Sequence, residues 1–162
     1  MRLANFIPSS IVNGDGCRIV VVFQGCTLDC PMCFSKELQP VDGGKRIDVD
    51  DLVQLIGNIY DGSTDLIDGI TLSGGNPNEQ PEFSEFLIKL KRYLPNLNIW
   101  MWSGYTWDEI NEKEELKKHL RYLNVVVSGR FINSLKTLSS PYYGSTNQEV
   151  WRKTNSKWKK DD

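Results

Sequence analysis

The sequence predicts an α/β protein, an open partial (βα) barrel built on a mainly parallel sheet. Three observations point there. Short runs rich in β-branched and aromatic residues alternate with stretches whose apolar residues recur at helical spacing. Most of the strand-like runs are apolar on both faces, as strands covered from both sides are. Four βα units are too few to close an eight-stranded barrel, which leaves the sheet open.

Residues 18–24 (RIVVVFQ) form the first predicted strand. Asp48 stands at the N-cap of the first helix, where Val49, Leu52, Val53, Ile56 and Ile59 share one face. The second strand is 67–72 (IDGITL). The second helix runs from about 81 to 93, burying Phe83, Phe86, Leu87 and Leu90 before Pro95 stops it. Residues 97–102 (LNIWMW) make the third strand. Thr106 caps a third helix in which Trp107, Ile110, Leu116 and Leu120 recur irregularly, and 123–127 (LNVVV) is the fourth strand. Residues 1–162 read as a single domain, with a tail from about 148 that is free to be flexible. The basic run at 151–160 in that tail reads as solvated or as docking a partner.

The 162 residues are 40% hydrophobic and 25% charged, as in an ordinary globular protein. A net charge of −2 provides no general attraction for nucleic acid or an anionic membrane, and neither is expected as a partner. Residues 1–8 lack the apolar run of a signal peptide, and no window approaches the roughly 18–20 apolar residues of a membrane span. A cytoplasmic location follows as the expectation. Closely spaced cysteines there serve metal or redox chemistry more often than disulfides.

In parallel α/β sheets the functional loops gather beyond the carboxyl ends of the strands. The loops at 25–35, 73–78, 103–106 and 128–130 therefore share one edge. The first contains Cys26-Thr27-Leu28-Asp29-Cys30-Pro31-Met32-Cys33, three thiols within eight residues. Thiolates suit iron–sulfur clusters, zinc and Cu(I). Structural zinc takes four ligands, so a fourth is sought. Cys17 lies nine positions before Cys26, mostly along the first strand, which puts it on the order of 25 Å away. His119 is flanked by Lys117, Lys118 and Arg121 and is expected at the surface. Three cysteines on a four-iron cluster leave one iron open for a substrate or cofactor. On spacing alone the readings are an open Fe–S site, a zinc site or incidental cysteines.

The pattern Cys26-x-x-x-Cys30-x-x-Cys33, in the loop after the first strand, resembles the signature of the radical S-adenosylmethionine superfamily. The segments 13–18 (NGDGCR) and 23–26 (FQGC) resemble the approach to the cluster in glycyl-radical-enzyme activating proteins. WSGYT at 102–106, SGRF at 128–131 and YGSTNQ at 143–148 narrow the likeness to the activators of anaerobic (class III) ribonucleoside-triphosphate reductase.

This resemblance implies that Cys26, Cys30 and Cys33 hold a 4Fe-4S cluster whose open iron is chelated by S-adenosyl-L-methionine. It implies that the loop of Gly74 and Gly75 binds the cofactor's amino group. Asn76 stands where an acidic residue is usual. Met32, Cys33 and Phe34 would border the adenine. Arg130 would lie near the carboxylate or ribose, and Ser128 stands where a carboxylate is frequent. The implied activity is reductive cleavage of S-adenosylmethionine, making a glycyl radical on the large catalytic subunit of the reductase. A one-electron donor such as flavodoxin would drive it, with no catalytic side chain beyond the cluster ligands. Alternatives are an activase of another glycyl-radical enzyme, such as formate C-acetyltransferase, and a non-catalytic Fe–S or zinc module.

Overall fold

The computed structural model describes residues 1–63 and 65–162. Its strands are β1 (Arg2–Ser10), β2 (Arg18–Phe23), β3 (Lys45–Arg46), β4 (Gly69–Gly74), β5 (Asn98–Ser103), β6 (Val125–Ser128), β7 (Glu149–Thr154) and β8 (Lys157–Lys160). Its helices are α1 (Val49–Asp61), α2 (Phe83–Tyr93), α3 (Trp107–Glu112) and α4 (Glu114–Lys117), with short 3-10 turns between elements.

The described residues form one eight-stranded sheet in the order β3-β1-β2-β4-β5-β6-β7-β8. The order is linear, with β3 and β8 at its ends, so the sheet is open. Strands β2, β4, β5 and β6 pair in parallel. The flanking pairs β1–β2, β1–β3, β6–β7 and β7–β8 are antiparallel. The mainly parallel sheet expected from sequence is therefore corrected to a parallel centre with antiparallel flanks.

The flanks escaped the reading because they do not look like covered strands. Strand β1 contains Pro8 and alternates half-buried with exposed positions. Strands β7 and β8 are rich in Lys and Arg, and the turn between them places Asn155 and Ser156 at φ of 50° and 64°. Two central residues with positive φ make the type I′ turn that suits a tight hairpin. The tail expected from about 148 is thus a hairpin added to β6. Trp151 stacks on Trp107 at 4.2 Å between ring centroids, and Arg152 pairs with Asp15 and Asp161, each at 2.7 Å.

One face of the sheet carries the helices. Leu52 and Ile56 of α1, and Phe86, Leu87 and Leu90 of α2, are fully buried against β2, β4 and β5. Helices of 13 and 11 residues are marginal alone, whereas each such side chain contributes about 1.5–3 kcal/mol on burial. Packing therefore decides these helices. Asp48 occupies the N-cap of α1 without a side-chain hydrogen bond, while Thr106 and Glu109 form a complete capping box on α3.

The third predicted helix is broken at Lys113 into α3, α4 and a 3-10 turn at Lys118–Tyr122. Three residues per turn instead of 3.6 shifts which side chains face inward. As a result His119, expected at the surface, is buried. Its Nε2 lies 2.9 Å from Ser84 Oγ and its ring stands edge-on to Phe83 at 5.0 Å.

The opposite face is held by Trp100, Val125, Val127 and Val150. Arg18, buried beneath the 11–17 loop, bonds Thr71 Oγ1 (2.8 Å), the Ile70 carbonyl (2.8 Å) and Asn98 Oδ1 (3.0 Å), with its guanidinium over Trp100. These bonds brace the amino ends of the parallel strands. Among the described residues no helix is long and apolar enough to cross a membrane.

Candidate metal centre

Because β2, β4, β5 and β6 run parallel, the loops after them emerge on one edge, as their order in sequence implied. The loops after β2 and β4 are joined through their main chains. Gly75 N donates to Phe23 O and Asn76 N to Gly25 O, each at 2.9 Å. Gly25 N and Cys26 N in turn donate to Leu38 O (2.8 Å) and Gln39 O (3.0 Å). The chain entering the cysteine loop is thus fixed on both sides.

Gly74 has φ of +113°, and a Cβ there would strike the main chain of Phe23; one on Gly75 would strike the carbonyl of Gly25. Only glycine fits either place. This close approach of two strand ends is a packing reason for the pair, independent of any ligand.

Within the cysteine loop, Asp29 and Met32 adopt positive φ of 43° and 58°, and Cys33 N donates to Cys30 O at 3.1 Å. The three cysteines are free and half-buried. Burial pushes the Cys26 thiol above its ordinary range; the Leu28 amide opposes this, and the Glu79 carboxylate, Cys30 and Cys33 reinforce it. Burial and then Cys33 push the Cys30 thiol up, against the Arg130 guanidinium and the Phe131 amide. These influences put the three sulfurs in one electrostatic neighbourhood, with the loop after β6 beside Cys30.

Among the described residues no three His, Cys, Asp or Glu side chains converge as ligands of a single ion do. Each thiolate of a four-iron cluster binds a different iron, so its ligands stand farther apart than those of one zinc. Three half-buried thiols on one loop, with main-chain amides directed at sulfur, fit that donor set. Cys17 lies at the other end of β2, with Sγ 3.1 Å from Ser9 Oγ and its amide on Asp68 at 2.8 Å.

The remaining sequence-predicted residues separate into three kinds of environment. Met32 and Phe34 project from the loop, 64% and 80% exposed. Ser128, at the end of β6, is buried, and its hydroxyl has no hydrogen-bond partner among the described residues. Asn76 is also buried; its Nδ2 donates to Glu79 Oε1 (3.0 Å) and its Oδ1 accepts from Ser103 Oγ (3.5 Å). Arg130 forms a two-pronged pair with Glu109 at 2.8 and 2.9 Å. That pairing, aided by the cap bonds to Thr106, lowers the Glu109 carboxyl to about 2 and raises Arg130 further.

Two residues here were not singled out from sequence. Glu109 was findable, as the fourth position of Thr106-x-x-Glu109. Glu79 had no such signal, because its partners lie on three different loops.

Comparison with known proteins bears on the same region. The 4Fe-4S single cluster domain family matches residues 12–151. The anaerobic ribonucleoside-triphosphate reductase-activating protein of Enterobacteria phage T4 is 30% identical, over 99% of this chain and 100% of its own. The protein of that name from Escherichia coli K12 is 33% identical over 93% of this chain and 97% of its own, and that from Haemophilus influenzae 30% over 94% and 98%. This chain belongs to the 4Fe-4S single cluster domain family and to the family of the anaerobic ribonucleoside-triphosphate reductase-activating proteins.

Proposed function

We propose that this protein activates an anaerobic ribonucleoside-triphosphate reductase, generating a glycyl radical on its large catalytic subunit by reductive cleavage of S-adenosylmethionine. The observation that carries the reading is the joining of the cysteine loop to the glycine loop through Gly75 and Asn76, in a chain whose near-full-length relatives activate that reductase.

In this reading residues 1–162 act as one radical S-adenosylmethionine domain in the cytoplasm. Cys26, Cys30 and Cys33 hold a 4Fe-4S cluster and leave one iron open. The chemistry such a cluster supplies is one-electron, homolytic cleavage of the cofactor's sulfonium bond, whose product takes a hydrogen atom from a glycine Cα of the partner. Gly74 and Gly75, which fit against Phe23 and Gly25 only without a Cβ, would hold the main chain of the glycine loop beside the cysteine loop, where it can meet the cofactor's amino group. The buried, unpartnered hydroxyl of Ser128 and the guanidinium of Arg130, which would first have to leave or share its pairing with Glu109, belong to the loop after β6 and would serve the cofactor's polar end. Met32 and Phe34, exposed beside Cys33, offer apolar surface to the adenine. A low-potential one-electron donor of the flavodoxin class completes the cycle.

Anaerobic reconstitution with iron and sulfide tests this. With a reductant the protein should convert S-adenosylmethionine to 5′-deoxyadenosine. Mixed with the reductase subunit, it should yield a carbon-centred doublet by electron paramagnetic resonance. Stoichiometric zinc without cleavage would overturn the enzyme, and a doublet only with a formate C-acetyltransferase-type subunit would overturn the partner.

A further inference from the structure

Glu79 ends the 3-10 turn that follows the glycine loop, and its carboxylate accepts from three separate loops. Oε2 takes the Thr27 amide at 2.8 Å, one residue from Cys26. Oε1 takes Asn76 Nδ2 at 3.0 Å, one residue from Gly75, and the Tyr105 hydroxyl at 3.3 Å in the loop after β5. The Tyr105 carbonyl accepts from Gly129 N at 2.8 Å, which extends the connection to the loop after β6. All three groups facing Glu79 are donors, and a carboxylate is the acceptor-only side chain that satisfies them together. An amide in its place would turn donors toward Thr27 or toward Asn76 and Tyr105.

The charge matters as much as the bonds. Asn76 is neutral, and its amide hands the adjoining position to a carboxylate three residues on. Glu79 is also the acidic neighbour that acts on the Cys26 sulfur. Negative charge beside a sulfur ligand opposes the arrival of an electron, and net charge is one of the levers that set an Fe–S potential.

We propose that Glu79 is a positioning residue that locks the cysteine loop to the glycine loop and holds the potential of a cluster on Cys26 low. The second half rests on the reading of Cys26 as a cluster ligand; the first does not. Amide exchange in the cluster-free protein tests the lock. In Glu79→Ala and Glu79→Gln, exchange at residues 26–28 should quicken by about tenfold, the loss expected for one charge-assisted bond. After anaerobic reconstitution, Glu79→Gln should show a midpoint potential more positive than wild type, at equal iron content. Glu79→Asp, which keeps the charge on a shorter arm, should quicken exchange while leaving the potential near wild type. Unchanged exchange in the Ala and Gln variants, or a wild-type potential in Glu79→Gln, overturns the proposal. A wild-type protein that takes up no cluster would sink the proposed function instead, and exchange would still decide the lock.

Discussion

Arg130 and Glu109 face each other fork to fork, at 2.8 and 2.9 Å, and so tie the loop after β6 to the first turn of α3. Glu109 also receives the Thr106 amide at 2.8 Å as the closing half of the capping box. One carboxylate therefore serves both the helix cap and the site edge.

This pair should make a small, acid-sensitive contribution to stability. Glu109 sits near 2 in the folded protein against an ordinary 4.5. Because the unfolded chain binds that proton more readily, the contribution is complete above about 4.5 and fades as pH falls toward 2. Both side chains are partly exposed, so solvent screening limits the gain to about 0.5–1 kcal/mol. Urea titrations at pH 7 and pH 3 check it. Glu109→Gln should lose that amount at pH 7 and roughly half of it or less at pH 3. Equal losses at both pH values would place its role in the cap alone.

Gly74→Ala and Gly75→Ala should each destabilise the fold by more than about 2 kcal/mol, since positive φ or a main-chain clash must be relieved. Thermal melts of the cluster-free protein check this without any ligand. A melting temperature equal to wild type in either variant would contradict the backbone contact with β2 and its loop.

What could be read in advance follows from how each element is stabilised. Strands β2, β4, β5 and β6 were legible because burial on both faces writes a continuous apolar run, and their order alone predicted one edge for the four loops. Strands β1, β7 and β8 were not, because an exposed or flanking strand tolerates Pro8, Lys157 and Lys159, and their pairing depends on neighbours that are distant in sequence. The cysteine loop announces itself by spacing within eight residues. Glu79 does not, because its three bonds reach Thr27, Asn76 and Tyr105 and exist only once the strand ends meet. His119 was misplaced for a local reason, the switch to a 3-10 turn that swung it inward.

Cys30→Ser should lose most of its bound iron after reconstitution, since a hydroxyl is a poor substitute for a thiolate on iron. Cys17→Ser should retain wild-type iron, because Cys17 lies at the far end of β2 against Ser9 and Asp68. Iron and sulfide analysis on both variants is the check. Full loading of the first, or loss in the second, would reassign the ligands.

His119 should govern much of the protein's sensitivity to mild acid. Burial lowers it from 6.5 to about 4, so the folded protein keeps the ring neutral. The unfolded chain takes up a proton as pH falls through about 6.5, while the folded chain resists until about 4. Stability should therefore decline across that window, by as much as ~3 kcal/mol in total, and level off below it. His119→Gln removes the titrating group while leaving an amide near Ser84. Its unfolding free energy should be lower than wild type at pH 7, where the Phe83 contact and ring packing are lost. Between pH 6.5 and pH 4 its profile should be flatter than that of wild type. Parallel slopes for the two proteins in chemical denaturation across that range would mean that another group carries the acid response.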